Sequence, residues 1–343
     1  MGEQVRVSVV LPLLDPGPSI DEALERLLAT TSERDEIVLV DDGSSPPSAA
    51  VLRRFAGTAH RTPVRLLAND TNEGVAAARN RALRVARGRF VWFVDWDDQW
   101  DPQILDVLVG RAERTGAALV TCRAAVVDQT GHLVRRIGPA HDTELRGIDT
   151  ARAILDGRIE GHLWNKLFRR EVLPDRMFPP MRAASDFSGA APVVVAAAHI
   201  SHVGRVLYAH CMRPGSITTA PDRDLTFLEQ SGDLAEQVVR PYLTHRGAAR
   251  TLRLFRYRGW YLIAVTAMRI NPDPAYQEHW LQRSRQRMRA SEAASLLAAS
   301  PGTASRCLSL LALGPRFRHV YRVSTATRSR LRERHPYRLP WRG

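Results

Sequence analysis

Short apolar runs alternate with amphipathic stretches along the first part of the chain. Val5 to Leu11 is nearly continuous, is stopped by Pro12, and reads as a buried strand. Ser19-Ile20-Asp21-Glu22 has capping-box spacing and opens a helix whose apolar face carries Ala23, Leu24, Leu27 and Leu28. Strand Glu36–Val40, helix Ala49–Phe55, strand Val64–Leu67, a helix from Asn72-Glu73-Gly74 to about Ala86 and strand Phe90–Val94 follow. Asp101-Pro102 puts Asp at an N-cap and Pro at the first helical position. That helix leads to strand Ala118–Val127, and Asp128-Gln129-Thr130-Gly131 then predicts an antiparallel hairpin. Strands alternating with helices imply right-handed βαβ units, so the fold class is α/β: a Rossmann-type mixed sheet, parallel first and antiparallel later, with flanking helices. From about Asp222 strand-like runs mostly disappear and helical patterning takes over, with breaks near Asn271-Pro272-Asp273-Pro274 and Pro301-Gly302. The expected organisation is an α/β domain over 1–221, a C-terminal helical extension over 222–327 and an Arg-rich tail over 328–343 that frays.

Charge sharpens that division. Residues 222–343 carry 22 Arg against 9 Asp and Glu, so the whole net charge of +13 lies there. Arg250, Arg253, Arg256 and Arg258 interleave with Leu252, Leu254, Phe255, Tyr257, Trp260 and Tyr261, and Arg283, Arg285, Arg287 and Arg289 follow Trp280. This pattern suits anionic lipid headgroups better than nucleic acid, and it equally describes the solvated face of a packed helical bundle. The three cysteines are far apart and form no C-x-x-C pair, which excludes a disulfide framework or zinc site and fits a reducing, cytoplasmic setting. No signal-peptide pattern and no bilayer-spanning apolar stretch is read, so the expected location is cytoplasmic, with peripheral contact at the inner face of the plasma membrane. Lys166 is the only lysine, which marks a place where a compact ammonium stands instead of a planar fork, or is chance survival.

Asp95-Trp96-Asp97-Asp98 ends the Phe90–Val94 run, and Asp41-Asp42 ends the Glu36–Val40 run. Carboxyl ends of strands in open α/β sheets are where ligands bind. Three carboxylates in one turn repel one another unless a cation lies between them; the pattern reads as a hard-ion site, or as a charged turn leading into a capped helix. Two such clusters facing one crevice suit a nucleotide diphosphate, one reading base or ribose and the other holding the metal. The dinucleotide fingerprint and the P-loop are both absent, which argues against hydride transfer and a typical NTPase.

Val7-Ser8-Val9-Val10-Leu11-Pro12 and Ile37-Val38-Leu39-Val40-Asp41-Asp42-Gly43-Ser44-Ser45 resemble the opening of family 2 glycosyltransferases of the GT-A fold. Asn72-Glu73-Gly74, Ala78-Arg79-Asn80, Ala86-Arg87-Gly88-Arg89 and Phe93 to Asp98 continue the likeness in order. Trp164-Asn165-Lys166-Leu167 resembles the W-N-K-L segment, and Leu207-Tyr208 with Arg213-Pro214-Gly215-Ser216-Ile217-Thr218 the closing strand and loop. The resemblance covers roughly residues 5–220 and implies an inverting, metal-dependent glycosyltransferase with a nucleotide-diphospho-sugar donor. Carried over, it implies that Pro12, Asp41, Asp42, Arg79 and Asp95 bind the donor nucleotide, with Asp42 on base and ribose. Asp97 would be the main ligand of Mn²⁺ or Mg²⁺, with Asp95 facing ribose or a metal-bound water and Asp98 assisting or orienting the loop. A general base is then needed for the acceptor hydroxyl. The family's usual Glu-Asp pair corresponds to Ser185-Asp186, so Asp186 is the expected base, although Asp there also suits a helix cap.

The match departs from the family at Ser185, at Leu14-Asp15 (usually an aromatic and Asn), and at Gly189 and Pro192, which interrupt a usually smooth helix. Trp164 and Lys166 are candidate acceptor or phosphate contacts; alternatively the Lys166 stem packs beside Trp164 with its head in water. Trp96 packs under a donor sugar or covers the strand end. His210 reads as an acceptor wall before a metal ligand. The partners implied are the donor, a glycan or lipid-linked acceptor in cell-envelope polysaccharide synthesis, an anionic membrane surface and no nucleic acid. The alternative is a catalytically decayed GT-A module that binds carbohydrate or membrane.

Overall fold

In the computed structural model, residues 4–17, 20–181, 185–213, 223–243, 247–323 and 337–341 are described. Ser19, Ala183-Ala184, Pro214 to Thr218 and most of the expected tail lie outside them. The α/β part contains, in chain order, β1 (Val7–Leu13), α1 (Ile20–Thr30), β2 (Glu36–Asp41), α2 (Pro46–Gly57), β3 (Val64–Ala68), α3 (Val75–Val85), β4 (Phe90–Phe93), β5 (Gln99–Trp100) and α4 (Ile104–Thr115). It continues with β6 (Leu119–Val127), β7 (Leu133–Ile137), β8 (Thr143–Arg146), α5 (Ile148–Asp156), β9 (Lys166–Arg169), α6 (Ser185–Ala196) and β10 (His199–Cys211). Helices α7 (Thr226–Val239), α8 (Ala248–Ile270), α9 (Pro274–Gln286), α10 (Ala290–Ala294) and α11 (Pro301–Leu313) follow.

The strands form one mixed sheet in the order β3-β2-β1-β4-β9-β6-β10-β5, with β7 on β6 and β8 on β10. β3, β2, β1 and β4 are parallel, β9 runs against both β4 and β6, and β7 makes the expected antiparallel hairpin with β6. β1, β2 and β4 are buried on both faces, which explains their unbroken apolar runs. One apolar layer, with α1 and α4, covers one face; α3, α5 and α6 cover the other.

The order reverses at β1, whose neighbours are β2 and β4, so the crevice between β1 and β4 is the switch point at which such sheets bind ligands. Pro12 helps to open it. Val94 N donates to Val10 O, so Val10 and, two residues on, Pro12 face β4. Pro12 has no N–H to offer there, and β1 continues through Leu13 paired with β2 alone. The strand therefore runs past the proline at which the apolar pattern predicts its end.

The helix after β5 also differs from expectation. Asp101 Oδ1 accepts from Gln103 N at 2.9 Å and its other oxygen pairs with Arg205, so α4 begins at Ile104 with Gln103 in the N-cap position. The break at Asn271–Asp273 is real: Asp273 caps α9 by accepting from Ala275 N and Tyr276 N. Pro301 instead opens α11. The later helices are joined to the α/β part through a shared core, in which Ala235, Val239, Leu252 and Phe255 pack with residues of α3, α5 and α6.

Candidate active site

The carboxyl ends of β1, β2 and β4 carry the first group of candidate residues. Asp15 has a φ of 41°, and its Oδ1 accepts from Ser45 N at 2.8 Å and Ser45 Oγ at 2.5 Å. These bonds hold its carboxyl below the ordinary value and tie the loop after β1 to the loop after β2. Asp42 is buried and fully engaged: Oδ1 accepts from Asn69 Nδ2 at 2.7 Å and Glu73 N at 3.0 Å, and Oδ2 from Gly74 N at 2.8 Å. It holds the turn that starts α3. Asp41 Oδ1 accepts from Ser44 N at 2.9 Å, and no other hydrogen bond to its carboxylate occurs among the described residues. Asp41 is therefore the member of the pair with an oxygen left for a ligand.

Arg79 enters from α3 and is 4% exposed. Its Nη1 donates to Asp186 Oδ1 and its Nη2 to Asp95 Oδ1, the latter at 3.2 Å. Its Nε is buried without a partner. Below it lies the Phe178 ring, 5.7 Å from the guanidinium carbon. Asn80 fixes Phe178 by exchanging two hydrogen bonds with its backbone, at 2.8 and 3.0 Å. Gly189 makes room for this ring, since a Cβ there would stand 2.7 Å from it. That is a packing reason for the glycine that departs from the family pattern, and α6 runs through both Gly189 and Pro192. Burial pushes the Asp95 carboxyl up to about 7; Arg79 pulls it down, while the charges of Asp98, Asp186 and Asp97 add to the rise.

The Asp95–Asp98 turn divides its carboxylates. Asp97 Oδ2 accepts from Arg213 Nε at 2.5 Å, and the Arg213 guanidinium lies 4.4 Å over the Trp96 ring. Burial, and next Asp98, raise the Asp97 carboxyl against the pull of Arg213. Asp98 is fully buried and points inward: Oδ2 accepts from Tyr208 Oη at 2.8 Å, and Oδ1 from Cys211 N at 2.8 Å and His210 Nδ1 at 3.0 Å. Burial alone would lower His210, but the Asp98 carboxylate outweighs it and raises the imidazole to about 9. Asp98 thus anchors the loop to β10, the loop-orienting one of its two expected roles. Among the described residues no group of three or more His, Cys, Asp or Glu is arranged to hold an ion. The donor chemistry still fits a hard cation: four carboxylates (Asp95, Asp97, Asp98, Asp186) meet three cations (Arg79, Arg213, His210) in this cluster. Mg²⁺-like ions are commonly held by one or two carboxylates plus phosphate oxygens and water, a set that Asp95 and Asp97 would begin.

Lys166 and Trp164 are both buried. Lys166 is 1% exposed, and its Nζ donates to His162 O at 2.5 Å and Asn165 Oδ1 at 2.8 Å. Trp164 is buried in a stack with His162, Tyr208 and His210, at centroid distances of 4.8, 4.7 and 5.6 Å. Both support the wall behind the site. Glu160 was not singled out from sequence, and Arg213 entered only as the first residue of the closing loop. Glu160 pairs with Arg135 at 2.7 and 2.9 Å and with His162 at 3.2 Å. The Arg213–Asp97 and Arg135–Glu160 pairings span long stretches of chain and leave no local pattern.

Residues 8–176 match the family model for glycosyl transferase family 2. The chain is 29% identical over 183 residues to the putative glycosyltransferase EpsH of Bacillus subtilis, covering 52% of each. It is 30% identical over 165 residues to the succinoglycan biosynthesis protein ExoO of Rhizobium meliloti, covering 48% of this chain and 44% of that protein. It thus spans about half the length of these curated relatives. Residues 1–349 of TarS from S. aureus, solved in complex with UDP-GlcNAc, superpose with a TM-score of 0.67 at 19% identity, covering 93% of this chain and 92% of that one. The last likeness establishes the GT-A fold. The sequence matches liken this chain to glycosyltransferases, one of them named for succinoglycan biosynthesis, and do not favour a decayed binding module.

Proposed function

We propose, from the match of residues 8–176 to the family 2 glycosyl transferase model, that this chain is an inverting, metal-dependent glycosyltransferase. It moves a sugar from a nucleotide-diphosphate donor to a hydroxyl of a glycan or lipid-linked acceptor in cell-envelope polysaccharide synthesis. The observation that carries this reading is the Arg79 bridge, which draws Asp95, at the end of β4, and Asp186, at the start of α6, to one guanidinium. Donor-side and acceptor-side carboxylates then line one crevice at the switch point of the sheet.

In this reading the donor nucleotide lies along the ends of β1, β2 and β4. Pro12 leaves the crevice open and Asp41 offers its second oxygen to base or ribose. Asp95 and Asp97 would hold Mn²⁺ or Mg²⁺, which when bound neutralises charge on the leaving diphosphate. Asp186 takes the proton from the acceptor hydroxyl as it attacks the anomeric carbon opposite the leaving group. Arg79 holds that carboxylate in position. His210, held charged by Asp98, adds a positive group beside the same loop. The helical extension makes peripheral contact with an anionic membrane surface through arginines that stay exposed, such as Arg250, Arg287 and Arg289. No helix among the described residues is long and apolar enough to cross a membrane.

A thermal-shift panel of UDP-, GDP-, CDP- and dTDP-sugars with and without Mn²⁺ tests the proposal. A rise in melting temperature with one donor class that requires the metal is expected. No shift with any donor at any metal concentration would remove the transferase reading.

A further inference from the structure

Arg258 sits on α8, in the helical extension, but its guanidinium rests on the α/β part. It lies so close over Gly157 that no Cβ fits between them, and Gly157 closes α5 with a φ of 78°. A side chain at 157 is disfavoured by the backbone conformation and would push the Arg258 guanidinium aside. Arg258 is half-buried, and burial lowers its pKa. A charge held out of water is costly unless something pairs with it. Among the described residues Arg258 makes no hydrogen bond and no ion pair, and its neighbouring carboxylates are already engaged. Asp156 is taken by Arg158 at 2.8 Å, and Glu160 by Arg135 and His162. Two of the other four α8 arginines have partners: Arg256 binds Glu236, and Arg253 binds Ser295 at 2.9 Å.

The position of this unmatched cation relative to the candidate base can be traced through contacts. One turn earlier on α8, Phe255 stacks on Phe187 at 6.2 Å, and Phe187 directly follows Asp186. The backbone of Phe187 closes on Gly161, in the loop that runs from Gly157 to Trp164. The side chains of Glu160, His162, Asp186 and Asp95 keep 30, 34, 30 and 31% of their surface open, while Trp164 and Tyr208 behind them are closed. Glu160, which faces Arg258, therefore neighbours the loop that Phe187 closes on, directly after Asp186.

We propose that Arg258 forms a subsite on the acceptor side for an acidic group of the acceptor, a phosphate or a carboxylate. The inference rests on the transferase reading above and adds a substrate class to it. A guanidinium presents a planar fork that pairs two oxygens at once, which a neutral hydroxyl cannot match. Binding such an anion would repay the desolvation that Arg258 already bears.

The test uses the full chain, wild type, Arg258→Gln and Arg258→Lys, in calorimetric titrations. The probes are sn-glycerol 3-phosphate, glucuronate and the uncharged methyl glucoside, alongside a nucleotide diphosphate with Mn²⁺. Saturable binding of an anionic probe to wild type is expected, weakened about tenfold or more in Arg258→Gln, as for loss of a charge-assisted pair. Arg258→Lys should lie between them, and methyl glucoside should bind none of the three. The stronger of phosphate and carboxylate identifies the acidic group. Anionic probes that bind wild type and Arg258→Gln equally, or not at all, would overturn the subsite while nucleotide binding remains. Loss of nucleotide binding in wild type would instead count against the transferase reading, and the probe arm would still decide the anion subsite.

Discussion

Arg79 ties Asp186 to Asp95, donating to one carboxylate through Nη1 and to the other through Nη2. The candidate base and the donor-side carboxylate therefore share one buried cation. Removing it in Arg79→Gln leaves two carboxylates facing each other. Breaking a fully buried pair costs about 3–5 kcal/mol; Asp95 and Asp186 are each about one-third open, so about 1–3 kcal/mol is expected here. Arg79→Lys keeps the charge but loses the fork, so it should recover stability better than turnover. Urea denaturation and initial rates check both. A cost below about 0.5 kcal/mol would mean that the bridge holds nothing in place.

Asp186→Asn keeps the shape of the side chain and removes its ability to take a proton. Donor affinity should change by less than about twofold, while turnover falls by about 10²–10⁴, the usual contribution of a general base. Donor titration and product formation, measured on the same preparation, separate these effects. Unchanged turnover would move the base elsewhere. Ser185, buried at 1% exposure, is poorly placed to replace it.

Asp97 and Asp98 are adjacent in sequence and opposite in expected effect. Asp97→Ala removes one partner of Arg213, whose side chain is 43% exposed, so the apo melting temperature should hardly move. The metal-dependent stabilisation by donor should vanish. Asp98→Ala leaves Tyr208 Oη, His210 Nδ1 and Cys211 N without their acceptor. Tyr208 is fully buried, and a buried donor left unpaired costs about 1–3 kcal/mol, so the apo protein itself should melt several degrees lower. Equal apo melting temperatures for the two variants would contradict this division of roles.

The strand-and-helix alternation could be read because β1, β2 and β4 are buried on both faces and so write their positions as apolar runs. The two Asp clusters were legible as strand ends for the same reason. Which carboxylate faces a ligand was not. Asp42 turns to Gly74, and Asp98 to Tyr208 more than a hundred residues away, and nothing in a D-D or D-x-D-D string distinguishes the inward oxygen from the outward one. Lys166 was visible as an oddity of composition, yet its enclosure comes from the turn of His162 and Asn165 around its head. The start of α4 moved because Asp101 spends its carboxylate on Gln103 N and on Arg205, a residue of β10.

Lys166, the chain's only lysine, gives a pH signature that can be isolated by one substitution. Burial lowers its pKa from 10.5 to about 7, against the pull of Glu160, Cys122 and Asp186. Between about pH 7 and 10.5 the unfolded chain therefore binds a proton that the folded chain does not, and stability should rise with pH across that window. The gain is at most a few kcal/mol, because a tenfold change in proton affinity on folding is worth about 1.4 kcal/mol. His210 acts with the opposite sign: its raised pKa gives stability that is present below its unfolded value and lost as pH climbs through about 9. Comparing wild type with Lys166→Met separates the two, because the His210–Asp98 pair is common to both. Urea midpoints at about pH 6, 7, 8.5 and 10 should show wild type gaining on Lys166→Met as pH rises. At the lowest pH Lys166→Met should compare most favourably, limited by the unpaired His162 carbonyl and Asn165 Oδ1 that it leaves behind. Parallel curves would mean that this ammonium titrates as it does in water, and that the enclosure around it opens readily.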